Sequence, residues 1–127
     1  MILKSWLATY HMKYRPLPTK LELEHTINAI ARRLTMTIVE GPHVQDYDLG
    51  RVCYAIIAES HISIYVDKRR HMLWFDVTSC KEFDEGGLVS LLKTDFSDPI
   101  MAPWVCSRGI ADASLPETPM SRPLHSP

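Results

Sequence analysis

Three short apolar runs follow one another through the middle of this chain and leave few ways to fold it. Val52 to Ala58 is almost continuously apolar, His61 to Val66 alternates, and Met72 to Val77 returns after the charged turn Asp67-Lys68-Arg69-Arg70. Runs of this length, rich in β-branched and aromatic residues and bounded by polar links, read as strands. The second and third form a hairpin. The first is so uniformly apolar that a strand buried on both faces is expected.

The flanking segments complete the layout. Residues 2–11 read as an opening strand, broken by Pro16 and Pro18. Thr19 and Glu22 have the spacing of a capping box, in which each side chain satisfies an amide at the other's position. Leu23, Ile27, Ile30 and Leu34 then recur on one helical face, with Lys20, Glu24, Asn28 and Arg32 opposite. Met36 to Val39 reads as a short strand ended by Gly41-Pro42. Phe83 to Phe96 reads as a second helix, with Leu88, Leu91 and Leu92 inward and Gly86-Gly87 weakening its first turn. This order predicts an α+β sandwich, with helices on one face of a mainly antiparallel sheet.

Six of the nine prolines lie from Pro99 onward. The expected organisation is one domain over residues 1–106, with Trp104 and Val105 docked on its body, and a disordered Pro-rich tail over 107–127. A chain of 127 residues is long enough for a core of its own. A net charge of −1 argues against nucleic acid or an acidic membrane as partner. No apolar run is long enough for a membrane helix or a signal peptide. Cys53, Cys80 and Cys106 are odd in number and far apart, which predicts free thiols and a cytoplasmic setting.

Chemistry concentrates at the link between the first two central runs. In Ala58-Glu59-Ser60-His61, a serine hydroxyl stands next to its own preceding carbonyl. Attack there turns the amide into an ester, and elimination leaves a pyruvoyl group on the new N-terminus. Such a group is a built-in electrophile that forms a Schiff base with an amine and draws electrons from a departing carboxylate. Cys80 follows in Phe75-Asp76-Val77-Thr78-Ser79-Cys80. An ordinary thiol, titrating near about 8.5, is protonated at neutral pH and can return a proton.

The order strand, Ala-Glu-Ser-His, aliphatic-hydroxyl-aliphatic alternation, hairpin and Phe-Asp-Val-Thr-Ser-Cys resembles the bacterial and archaeal S-adenosylmethionine decarboxylases over roughly residues 3–95. The resemblance implies that fold, a homodimer or pairing with a homologue, a small-molecule substrate and a role in polyamine (spermidine) synthesis. It implies autocatalytic cleavage at Glu59-Ser60, Ser60 as precursor of the pyruvoyl cofactor, and Cys80 as proton donor. Tyr65 stands where the family has its processing histidine, and a phenol titrating near about 10 is a weak base. Val52 stands where the family has a serine that assists processing. In the hairpin turn, Arg69 replaces an acid that binds ribose hydroxyls, with Asp67 nearby, and Asp46 and Tyr47 lie near an adenine-stacking aromatic. Three readings follow: a self-processing S-adenosylmethionine decarboxylase; a pyruvoyl decarboxylase of a smaller amino acid such as arginine or ornithine; and an unprocessed homologue that binds a partner.

The remaining polar residues carry less. Strand alternation puts His61 on the opposite sheet face from Ser60, which suggests a structural role. His71 reads as solvated in a charged turn, and His11, His25, His43 and His125 show no metal-ligand spacing, so no metal site is expected. Lys68-Arg69-Arg70 reads as a solvated hairpin tip.

Overall fold

The computed structural model describes residues 2–13, 15–58, 60–109 and 120–123. Its elements are β1 (Ile2–His11), α1 (Lys20–Arg33), β2 (Ile38–Asp46), β3 (Gly50–Ile57), β4 (Ser60–Asp67), β5 (Met72–Ser79), α2 (Glu85–Phe96), β6 (Trp104–Gly109) and β7 (Met120–Pro123). The strands form one sheet in the order β2-β3-β4-β5-β1-β6-β7. Every neighbouring pair is antiparallel. The α+β expectation holds, and the amphipathic faces of the two helices explain the layering.

Helix α1 begins as its sequence dictates. The Thr19 side chain accepts the Glu22 N–H at 3.2 Å, and the Glu22 carboxylate accepts the Thr19 N–H at 3.1 Å. Leu23, Ile27 and Ile30 are fully buried against the sheet. They meet Trp6, Ala8 and Tyr10 of β1, Cys53 and Ala55 of β3, Ile62 and Ile64 of β4, and Leu73 and Phe75 of β5 in one core. Leu88, Leu92 and Phe96 of α2 close that core. Gly87 has a specific reason to lack a side chain. A Cβ there would stand 2.7 Å from Asp84 Oδ2 and 2.8 Å from Arg33 Nη2, where Arg33 of α1 reaches the start of α2.

Four expectations change. β3 is buried on one face only: Cys53, Ala55 and Ile57 are inside, while Tyr54 and Ile56 are exposed on the other side. Its continuous hydrophobicity therefore marks a second face that this single chain leaves open. Strand β2 does not end at Gly41-Pro42 but runs through to Asp46, with register shifts between Ile38 and His43. An outer strand tolerates a proline because one side of its backbone has no ladder to maintain. Gly41, at φ 101°, lies against the Tyr54 carbonyl, where a Cβ would come within 2.9 Å. Helix α2 begins at Glu85 rather than Phe83. Finally, the boundary expected after residue 106 falls inside β6, which pairs with β1, and β7 pairs with β6 within the expected tail. The rest of that tail, residues 110–119 and 124–127, lies outside the described residues.

Candidate active site

Ile57 pairs with Ser60 across the β3–β4 hairpin, so residues 58 and 59 alone separate the two paired positions. Glu59 itself lies outside the described residues. Alternation with the buried Ile62, Ile64 and Val66 puts the Ser60 side chain on the helix-covered face. There its Oγ accepts the backbone N–H of Cys80 at 3.1 Å. The two residues singled out by sequence are thus brought together where β4 begins and β5 has just ended.

A buried cation holds the segment that carries Cys80. Lys4 on β1 is 7% exposed. Its ammonium donates to the Phe83 carbonyl at 3.1 Å and pairs with the carboxylates of Glu82 and Glu85. Burial works against the Lys4 charge, but its hydrogen bonds to the two glutamate carboxylates and their negative charge outweigh it, and its pKa is raised. The Ser79 hydroxyl accepts the Lys81 N–H at 3.0 Å, fixing the exit from β5. Cys80 is half-buried beside this clamp. Cys53, by contrast, is fully buried, and burial pushes its thiol up to about 12.

The open face holds a second polar group. His61 lies opposite Thr78 on β5, and Thr78 lies opposite Ser5 on β1. The His61 Nε2 is 3.2 Å from Asp76 Oδ2. Asp76 Oδ1 accepts the Thr78 hydroxyl at 2.8 Å, and Thr78 Oγ1 is 2.7 Å from Ser5 Oγ. Sequence reasoning placed His61 on the correct face but missed its partners. The signal was present: Asp76 and Thr78 are alternate residues of β5, so they share the face that His61 occupies once the register is known.

Tyr65 and Val52 lie on this same open face, directly opposite one another. Tyr65 is five residues from Ser60, roughly 16 Å along an extended strand, and points from the other side of the sheet. Its hydroxyl overlies Gly50, where a Cβ would stand 2.8 Å from Oη. Its ring packs on Trp74 at 5.7 Å between centroids. Within one chain, the structure does not bring Tyr65 to Ser60. A groove of about 450 Å³ runs over this face, lined by Val52, Tyr65, Trp74, Asp76, Met101 and Trp104 among others.

The far turn is built for its own stability. Asp67 Oδ1 accepts the N–H groups of Arg69 and Arg70 at 2.9 and 3.0 Å, and Oδ2 takes the Arg70 guanidinium at 2.9 Å. Its carboxylate is committed to closing the turn and is 5% exposed. Asp46 bonds Lys68 at 2.8 Å and Arg51 at 3.2 Å, and these two cations hold its carboxyl down at about 2. Tyr47 beside it is exposed. Among the described residues, no three His, Cys, Asp or Glu side chains stand together as a metal would require. No helix among them is long and apolar enough to cross a membrane.

Comparison with known proteins agrees with this architecture. The crystal structure of the adenosylmethionine decarboxylase from Aquifex aeolicus VF5 superposes with a TM-score of 0.62 at 16% identity, covering 88% of this chain and 93% of that one. At that identity the likeness establishes the fold. No curated protein matches the sequence. The family model for S-adenosylmethionine decarboxylase matches residues 5–109, a span that runs from within β1 to the end of β6 and includes both helices, Ser60 and Cys80. The chain therefore belongs to the S-adenosylmethionine decarboxylase family.

Proposed function

We propose that this protein is a self-processing decarboxylase of S-adenosylmethionine that draws its pyruvoyl cofactor from Ser60. The observation that carries the reading is the hydrogen bond from the Cys80 N–H to Ser60 Oγ at 3.1 Å, in a chain of this family. That bond fixes the orientation of the hydroxyl that attacks the Glu59 carbonyl. The same donor stabilises the oxygen when it leaves as part of the Glu59 carboxylate. Once formed, the pyruvoyl group supplies the electron sink for loss of the substrate carboxylate. The Cys80 thiol, on the residue whose backbone contacts Ser60, then returns the proton.

The residues fit this cofactor at the nucleophile and the proton donor. At position 65, where a processing base is expected, the phenol of Tyr65 is turned toward Gly50. Substrate recognition must also differ from that of relatives with an acid in the hairpin turn. Asp67 is engaged in its own turn, and the exposed Arg69 carries the opposite charge. The open-face groove offers aromatic surfaces at Tyr65, Trp74 and Trp104 together with the Asp76 carboxylate. That combination suits a cationic nucleoside, and about 450 Å³ lies within the usual range for small-molecule sites.

A second copy packed on the open face would enclose the groove. Leu7, Tyr54, Ile56, Tyr65 and Trp104 are all exposed there, and water-facing apolar residues in such number mark an association surface. In that arrangement, Tyr65 of one protomer faces the other protomer and not its own Ser60. Its place in polyamine synthesis follows from the substrate assigned. The test is release of carbon dioxide from carboxyl-labelled S-adenosylmethionine by the purified chain. Activity that disappears in Ser60→Ala and falls steeply in Cys80→Ala supports the reading; equal release by Ser60→Ala overturns it.

A further inference from the structure

We infer that His61, oriented by Asp76, is the base that removes the Ser60 α-proton during self-processing. The inference rests on the proposed function and supplies what position 65 lacks. Asp76 Oδ2 sits 3.2 Å from His61 Nε2. An imidazole whose Nε2–H is given to a carboxylate carries its lone pair on Nδ1, the nitrogen nearer its own backbone. Nδ1 has no hydrogen bond among the described residues. Asp76 is fixed in turn by the Thr78 hydroxyl at 2.8 Å, and Thr78 by Ser5 at 2.7 Å, so three side chains from two strands set the ring.

The position of His61 on the other face from Ser60 favours the chemistry. At a tetrahedral α-carbon in a strand, the hydrogen lies near the plane of the sheet, tilted away from the side-chain face. Ser60 Oγ is held on the helix-covered face by Cys80 N–H, so its α-hydrogen tilts toward the face that carries the His61 side chain. Base and leaving group on opposite sides are what an anti elimination requires. Adjacent Cα atoms are about 3.8 Å apart, whereas Tyr65 is roughly 16 Å along the strand.

The step balances. In the ester, the Glu59 acyl group is carried on Ser60 Oγ. His61 Nδ1 takes the α-proton, the C–H electrons form the Cα=Cβ bond, and the Cβ–Oγ bond breaks. Oγ departs as one oxygen of the Glu59 carboxylate. The enamine left behind tautomerises, its new methyl group taking a proton from the imidazolium. Water then replaces the nitrogen, which leaves as ammonium with the surplus proton, and a keto end remains. No redox change occurs.

The test is the rate at which freshly purified chain splits between residues 59 and 60, followed by denatured mass for wild type, His61→Ala, His61→Gln and Asp76→Asn. Glutamine can still donate to Asp76 but cannot act as this base. General-base removal costs about 100-fold or more, and loss of the orienting carboxylate about 10-fold or more. Both His61 variants should therefore stall, preferably with ester accumulated. Added imidazole should restore cleavage in His61→Ala but leave Ser60→Ala intact. His61 and Asp76 are both partly exposed, so thermal melts near that of wild type are expected. Cleavage of His61→Gln at the wild-type rate overturns the inference and leaves the self-processing reading standing. A wild-type chain that never splits overturns both.

Discussion

Ser60 and Cys80, twenty residues apart, are joined by a 3.1 Å hydrogen bond from the backbone of one to the side chain of the other. The bond ties the start of β4 to the exit of β5. It places a nucleophilic hydroxyl and a thiol at one end of the sheet, with the Lys4 clamp immediately beyond.

Loosening that clamp is expected to expose the Cys80 thiol. In the native protein, Cys80 and Cys106 should react with a small alkylating reagent, while the fully buried Cys53 stays silent until unfolding. Lys4→Met removes the ammonium that holds Phe83, Glu82 and Glu85. Alkylation of Cys80, read by peptide mass, should then accelerate several-fold without exposing Cys53. An unchanged rate would show that β5 alone fixes the segment.

Association should depend on the open face. Leu7 lies on it near the middle of the sheet, opposite Asp76 on β5 and Trp104 on β6. Leu7→Glu should convert a dimer to a monomer by sedimentation velocity while leaving the circular dichroism unchanged. A wild-type monomer at micromolar concentration would contradict the proposed dimer.

Acid should weaken the fold through the far turn. Asp67 and Asp46 have folded pKa values lowered by their hydrogen bonds and neighbouring cations. A lowered carboxylate pKa stabilises the fold above the unfolded value, near about 3.9. That contribution is lost as pH falls through the folded value, about 2 for Asp46. Urea midpoints should therefore drop between about pH 4 and pH 2. Asp67→Asn should be less stable at pH 7 and show a shallower drop.

The helix cap offers a local check on packing. Thr19→Ala deletes one side of the capping box and should cost about 1 kcal/mol, lowering the melting temperature by roughly 4 °C in a domain of this size. Scanning calorimetry measures it.

Much of this was legible in the sequence because local patterning and tertiary structure agree. The four-three-four spacing of Leu23, Ile27, Ile30 and Leu34, with Thr19 and Glu22 ahead of it, fixes α1 and its buried face. Ser60 and Cys80 stood out through the resemblance of their ordered surroundings to the family pattern. The parts that were not legible depend on pairing between distant strands. His61 meets Asp76 only through the β4–β5 register, and Lys4 meets Glu82 and Glu85 only after β1 lies beside β5. The open face was misread because continuous apolarity in β3 looks the same whether or not an element of this chain covers its second face. Strand β7 was hidden by the proline-rich composition around it, since a short outer strand needs little patterning of its own.

The most direct test of the account is the denatured mass of the purified protein before and after incubation at neutral pH. The account expects two fragments divided between Glu59 and Ser60, with the larger bearing a keto group in place of its amino terminus. A chain that remains a single intact 14.5 kDa species throughout would contradict it.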